Sequence, residues 1–66
     1  MIDMLTKRQR QIFDLVVAGK TSREIAAQLG IKTSTVKTHR ETIMLILNVR
    51  SAVQLTVLAA RAGVIK

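Results

Sequence analysis

Three side chains with different hydrogen-bonding capacities lie within about one helical turn near the middle of the chain. A helix through this segment places Lys37, Thr38 and Glu41 on the same face. An ammonium group donates to the N7 and O6 atoms of guanine, and a carboxylate accepts from the N4 amino group of cytosine. These residue types at this spacing predict contacts with base edges in the major groove of double-stranded DNA.

Basic and hydroxyl residues flank this face and suit phosphate oxygens, as do the N–H groups at the start of the same helix. They are Lys20, Arg23, Lys32, Ser34, Thr35, Arg40 and Arg50. We expect Arg40, which falls on the inner side of the helix, to extend to a phosphate or to pair with an acidic neighbour. Eleven Lys and Arg against four Asp and Glu give the chain a formal net charge of +7. That excess indicates an anionic partner.

The composition excludes several other classes of protein. The chain has no cysteine and one histidine, so it can form neither a disulfide framework nor a zinc site, and it has no thiol nucleophile. No catalytic Ser, His or carboxylate constellation and no glycine-rich phosphate loop is present. We therefore predict that the chain is not an enzyme and that it uses no metal or cofactor.

The apolar pattern is helical, with no proline and with Phe13 as the one aromatic residue. Thr6 with Gln9 and Thr21 with Glu24 have the spacing of capping boxes. We predict one all-α domain, a four-helix bundle with helices over about 7–18, 22–29, 34–47 and 52–62 joined by short connections. The third helix begins near residue 33 or 34.

Each predicted helix carries an apolar stripe that can face a common core. In the first three helices, the inward residues are Ile12, Phe13, Val16 and Val17; Ile25, Ala26 and Leu29; and Val36, Arg40, Ile43 and Leu47. In the fourth helix they are Ala52, Leu55, Ala59 and Ala62. Met4 and Met44 are expected to fill gaps in the core.

A second stripe on the fourth helix repeats at i, i+4, i+7 and i+11. Its residues are Val53, Val57, Ala60 and Val64. They could cap the core of so small a domain, but a contact between two symmetry-related copies explains them better. We therefore predict a homodimer formed through the fourth helix.

The second and third helices are joined by a few residues around Gly30, which makes them cross steeply. Ala26 allows close approach of the two helices, Gly30 can adopt a positive φ, and Val36 packs the third helix against the second. This arrangement is a helix-turn-helix over about 22–41, with 34–47 as its recognition helix.

Five short motifs run in order through most of the chain. They are Leu5-Thr6-x-Arg8, Ile12-Phe13-x-Leu15-Val16-x-x-Gly19, Glu24-Ile25-Ala26-x-x-Leu29-x-Ile31, Thr35-Val36-Lys37-x-His39-x-x-x-Ile43 and Leu47-x-Val49-x-Ser51. Together they resemble the LuxR/FixJ-type DNA-binding domain, from Leu5 to about Ala62. His39-Arg40 with Ile43-Met44 is most similar to the FixJ-like response-regulator branch.

The resemblance implies the effector domain of a bacterial transcription regulator, in which the third helix reads DNA and the fourth pairs two domains on a repeated site. It also implies a receiver or sensor domain before Met1. The chain departs from the family pattern at Lys32, which replaces the usual N-cap serine, so we expect Thr33 to cap the recognition helix. A second departure is Leu45-Ile46, which replaces a basic pair.

Alternative interpretations follow from these features. Leu45-Ile46 is the best support for a helical protein-interaction or dimerisation module with weakened DNA binding. Region four of sigma factors shares the Thr-Val-Lys start of the recognition helix but lacks a separate fourth helix after Val49-x-Ser51. Separate caps interrupt the long face that a cationic membrane-surface helix needs. With no signal peptide or membrane span in the sequence, we expect a cytoplasmic location without membrane contact.

Overall fold

The computed structural model describes residues 2 to 63, which form one short 3₁₀ helix and four α-helices. The 3₁₀ helix is Ile2–Met4, and the α-helices are α1 (Lys7–Val17), α2 (Ser22–Leu29), α3 (Thr33–Leu47) and α4 (Ala52–Arg61). No strand occurs in this part of the chain. The predicted all-α, four-helix fold is confirmed, and each predicted helix boundary lies within one residue of the observed one.

Both predicted capping boxes are present. The N–H of Gln9 donates to Thr6 Oγ1 at 3.2 Å, and the N–H of Thr6 donates to Gln9 Oε1 at 2.9 Å. In the second box, the N–H of Glu24 donates to Thr21 Oγ1 at 3.1 Å, and the N–H of Thr21 donates to Glu24 Oε1 at 2.9 Å. These bonds satisfy N–H groups that a helix start otherwise leaves unpaired.

The start of α3 differs from the prediction. Lys32, with φ −73° and ψ 146°, is the N-cap, and it makes no side-chain capping bond. Thr33 already belongs to the helix, so it cannot take the extended backbone conformation of a capping residue, and the predicted Thr33 cap is wrong. Lysine has no side-chain acceptor for the first N–H groups. The α3 N-terminus therefore lacks a side-chain partner from its own N-cap.

The turn between α2 and α3 is built on Gly30. Gly30 has φ 69° and ψ 33°, the left-handed conformation that glycine adopts without steric cost. The N–H groups of Gly30 and Ile31 both donate to the carbonyl of Ala26, the latter at 3.0 Å. Three residues thus connect α2 to α3, and α3 packs against α2, as the glycine position predicted.

Ten apolar residues form the buried core. They are Ile12, Phe13, Val16, Ile25, Ala26, Val36, Ile43, Leu47, Leu55 and Ala59. These residues pack the four α-helices together: α3 packs against both α1 and α2, and α1 also packs against α2 and α4. The predicted inward stripes account for every one of these residues.

Three core predictions are wrong. Ala52 and Ala62 are exposed because they lie at the two ends of α4, Ala52 as its first residue and Ala62 as its C-cap. Met4 is 64% exposed, since it lies in the 3₁₀ helix ahead of α1 and outside the core. Met44 is half-buried, and so are Val17 and Leu29.

Acidification tests the second capping box. The pKa of Glu24 lies below its ordinary value of 4.5 because its carboxylate accepts hydrogen bonds from Thr21, chiefly from the backbone N–H. The folded-state pKa is thus below the unfolded-state value, so the stabilisation is present above pH 4.5 and is lost as the pH falls through the folded-state pKa. We expect the midpoint of thermal unfolding, measured by circular dichroism, to fall more steeply below pH 4.5 in the wild type than in Glu24→Gln.

Glutamine is a suitable control because Gln9 forms the same capping box without titrating. Equal acid sensitivity of the wild type and Glu24→Gln would show that other carboxylates carry the pH dependence.

Candidate nucleic-acid interface

An exposed stripe runs along the outer side of α3. Its members, which we call the α3 stripe, are Ser34, Lys37, Thr38, Glu41 and Leu45. Because an α-helix turns about 100° and rises about 1.5 Å per residue, the five residues lie within an arc of about 100° and along about 17 Å of the helix. This is the length of about five base-pair steps at about 3.4 Å each.

The opposite side of α3 is buried in the core. Val36, Ile43 and Leu47 are each at most 3% exposed and belong to the core cluster with residues of α1 and α2. Rotating α3 about its axis would expose these side chains to water, which costs about 1.5–3 kcal/mol for each one. The core therefore holds the α3 stripe outward.

Two charged members of the stripe are available to an outside partner. Lys37 and Glu41 stand at the i, i+4 spacing that allows an ion pair, but within residues 3 to 63 the structure pairs Arg10 with Asp14 and forms no such pair here. Thr38 is different, because its hydroxyl donates to the carbonyl of Ser34 at 3.1 Å. Thr38 can still offer the lone pairs of its oxygen and its methyl group.

Exposed cations bracket the α3 stripe. Lys32 precedes α3 and Arg50 follows it, so positive charge lies at both ends of the helix. Lys20 precedes α2, and Arg23 is in its first turn. All four side chains are exposed, and none forms an ion pair in the part of the chain that the structure describes.

The first turn of α3 adds hydrogen-bonding groups to this surface. Ser34 and Thr35 are exposed there, beside the N–H groups for which Lys32 supplies no side-chain acceptor. N–H groups at a helix start carry partial positive charge and suit anions such as phosphate.

Arg40 contacts a side chain of α2. It is half-buried, and its Nη1 donates to Ser22 Oγ of α2 at 2.9 Å. It therefore ties the middle of α3 to the first residue of α2, and its expected pairing with an acidic neighbour is not found between residues 3 and 63. Sequence inspection missed Ser22, since nothing local links two residues separated by 18 positions.

The predicted dimer stripe lies outside the core. Val53 is 73% exposed and Val57 is 46% exposed, and Ala60 is also exposed. The fourth member, Val64, lies outside the described residues. An open groove of about 350 Å³ runs beside this stripe, lined by Asn48, Val49, Val53, Gln54, Val57, Leu58 and Arg61.

Other kinds of site find little support in residues 2 to 63. No three His, Cys, Asp or Glu side chains come together there in a way that could hold a metal ion. No α-helix in this range has by itself the length and hydropathy of a bilayer span. The length and hydropathy of a span are met only by two helices taken together, Thr33–Leu47 and Ala52–Arg61, and these are bent by 54° relative to each other.

Comparison with known protein families identifies the family of this chain. The model of the luxR family of bacterial regulatory proteins matches residues 3–59. The chain belongs to this family. The resemblance predicted from the five motifs is confirmed. The family description, bacterial regulatory proteins, supports the prediction of a regulator.

Three relatives show how this luxR-family chain compares in length. It is 44% identical over 62 residues to the uncharacterized response regulatory protein YgeK of Escherichia coli strain K12, covering 94% of the chain and 42% of YgeK. It is 42% identical over 60 residues to the spore germination protein GerE of Bacillus subtilis strain 168, covering 91% of the chain and 81% of GerE. It is 43% identical over 53 residues to the transcriptional regulatory protein UhpA of Escherichia coli strain K12, covering 80% of the chain and 27% of UhpA. The chain thus spans less than half of two of these relatives.

A double-mutant cycle tests the contact between Arg40 and Ser22. We expect Arg40→Ala and Ser22→Ala each to lower the free energy of unfolding by about 1 kcal/mol, and the double variant to lose less than the sum, because both changes remove one hydrogen bond. Urea unfolding followed by circular dichroism measures all four proteins. Arg23→Ala is the matched control, since this exposed arginine has no ion pair in residues 3 to 63 and should shift stability by less than about 0.5 kcal/mol. Additive losses would contradict the contact.

Proposed function

We propose that this luxR-family chain binds double-stranded DNA in a sequence-dependent way as the effector domain of a transcription regulator, with α3 in the major groove. The observation that carries the proposal is the α3 stripe, where Lys37 and Glu41 are exposed, unpaired with each other and held outward by the buried side of the helix. A major groove about 12 Å wide admits an α-helix in this orientation.

The stripe supplies the contacts to base edges. In this proposal, Lys37 donates to N7 and O6 of a guanine, and Glu41 accepts from N4 of a cytosine about one helical turn further along. The Thr38 hydroxyl donates its hydrogen bond to the Ser34 carbonyl, so Thr38 contributes an acceptor oxygen and a methyl group. Each well-placed pair of this kind discriminates against a wrong base by about 1–3 kcal/mol.

Phosphate contacts fix the register of α3 in the groove. We assign them to Lys20, Arg23, Lys32 and Arg50, and to the hydroxyls and N–H groups at the start of α3, including Ser34 and Thr35. All four cations are exposed, and none forms an ion pair within residues 3 to 63, so they are available to phosphate oxygens. Arg40 acts first as the tie between α3 and α2. Its contact with a phosphate stays a prediction.

Two copies of the domain read a repeated site in this proposal. Val53, Val57 and Ala60 are exposed apolar residues on one side of α4, which suits a symmetric homodimer contact, with Val64 as the predicted fourth member. A dimer of this kind places two recognition helices about 34–36 Å apart, one turn of the duplex. In the whole protein we propose a cytoplasmic regulator whose receiver or sensor domain precedes this one, in keeping with the response regulatory name of YgeK.

A second candidate function rests on Leu45, which is 81% exposed at the position where the family pattern has a basic residue. A helical interaction or dimerisation module that uses α3 as a protein interface would bury this side chain. The two functions differ in what the α3 stripe contacts, so variants in the stripe distinguish them.

Salt dependence and a stripe variant test DNA binding. If each monomer neutralises about five phosphates, the logarithm of the binding constant should fall with the logarithm of salt concentration at a slope near −4 to −5. Fluorescence anisotropy with a site selected from a random duplex library measures this slope. We expect Lys37→Ala to weaken binding to the selected site by about 10-fold to 100-fold and to reduce the preference for that site over random duplex.

Lys7→Ala is the matched control, because it removes the same charge from exposed α1 surface. Equal effects of Lys7→Ala and Lys37→Ala would show that only net charge matters. Absence of binding at low salt, with a stable dimer that Leu45→Lys dissociates, would favour the interaction module.

The dimer is tested by its cooperativity on DNA. Val57→Asp places a charge in the proposed α4 contact, so we expect it to abolish cooperative binding to a duplex with two half-sites while leaving affinity for a single half-site unchanged. Gel-shift titration measures both quantities. Ala27→Asp, at an exposed position on α2, controls for the added negative charge. Unchanged cooperativity in Val57→Asp would place the contact elsewhere.

A further inference from the structure

Leu45 is the most exposed large hydrophobic residue in the described chain, at 81%. Viewed down the axis of α3, Leu45 points in a direction between those of Glu41 and Thr38. This direction is about 180° from the centre of the buried side. The other exposed large hydrophobic residues lie elsewhere, Met4 in the 3₁₀ helix and Val53 and Val57 on α4. Leu45 is thus an isolated apolar group on an otherwise polar stripe.

The stripe determines where Leu45 goes when α3 enters the groove. Leu45 lies about 6 Å along the helix beyond Glu41 and about 12 Å beyond Lys37, on the same side. A helix that directs Lys37 and Glu41 towards base edges therefore carries Leu45 along the same groove, about two base-pair steps past the pair that Glu41 contacts.

The major groove offers such a side chain one apolar partner. Guanine, cytosine and adenine present nitrogen and oxygen donors and acceptors there, whereas thymine also presents its C5-methyl group. Leucine next to a polar edge or a phosphate displaces water without replacing its hydrogen bonds. Leucine next to a thymine methyl buries apolar surface on both sides.

We propose that Leu45 contacts the C5-methyl group of a thymine and makes this domain select thymine at one position near the end of each half-site. The proposal rests on the proposed function, because it requires α3 to lie in the major groove. A basic side chain at this position would contact phosphate, which is a sequence-independent contact, whereas Leu45 makes a sequence-dependent one.

The surroundings favour DNA over a second protein as the partner of Leu45. A stable protein interface buries about 800 Å² on each partner around an apolar centre, whereas the other members of the α3 stripe, Ser34, Lys37, Thr38 and Glu41, are polar. Positive charge at both ends of α3, from Lys32 and Arg50, would repel the same face of another copy and attract a polyanion.

Removing single methyl groups from the DNA tests the proposal. A high-affinity duplex is selected from a random library, and each thymine is then replaced in turn by deoxyuridine, which lacks only the C5-methyl group. For the wild-type domain we expect one such replacement in each half-site to weaken binding about fourfold, the effect of one buried methyl group. Leu45→Ala should bind both duplexes equally, because the methyl group has lost its partner.

Two further variants separate this proposal from the proposed function. Leu45→Lys should lose the methyl effect and steepen the salt slope by about one, since it restores a phosphate contact. Lys37→Ala should reduce the preference for the selected site over random duplex in both the wild-type and the Leu45→Ala background. The same deoxyuridine effect in the wild type and Leu45→Ala, or no effect at any thymine, overturns the thymine contact. It leaves the proposed function standing if Lys37→Ala still reduces the preference for the selected site. A wild-type domain without sequence preference overturns both.

Discussion

At Gly30 the backbone takes a left-handed conformation, and two successive N–H groups donate to the carbonyl of Ala26. A side chain at this position would strain the turn, and a longer connection would let α2 and α3 separate. The turn gives α3 its direction, and the burial of Val36 fixes its rotation. The α3 stripe, Lys32 and the α3 N-terminus take their positions from these two constraints, since all of them belong to or adjoin α3.

The small size of the domain makes α3 serve two purposes. Ten buried residues form the whole described core, and α3 contributes Val36, Ile43 and Leu47 to it. The same helix carries the α3 stripe on its other side, so its inner face stabilises the fold while its outer face meets the partner. A helix that is apolar on one side and both charged and exposed on the other cannot shift its register without losing core contacts. The buried side chains of α3 therefore hold the α3 stripe in one orientation.

Local signals made most of the fold predictable from sequence. Thr6 with Gln9 and Thr21 with Glu24 are three residues apart, so both helix starts could be predicted from pairs that contact each other in the structure. The α3 stripe followed from helical periodicity alone. The contact between Arg40 and Ser22 could not be predicted, because it depends on the crossing of two helices. Errors at the helix ends had a similar cause, since periodicity assigns a face to a residue but does not show where neighbouring elements stop covering it.

The central claim is that the outer side of α3 contacts DNA. Amide chemical-shift mapping of the ¹⁵N-labelled domain, titrated with a selected duplex, tests it directly. We expect the largest changes at residues 32 to 45 and at Arg23 and Arg50, with small changes at the exposed residues of α1 away from this surface. Changes confined to α4, or spread evenly over all four helices, would contradict the account, because they would show that the α3 stripe is not the surface that meets the duplex.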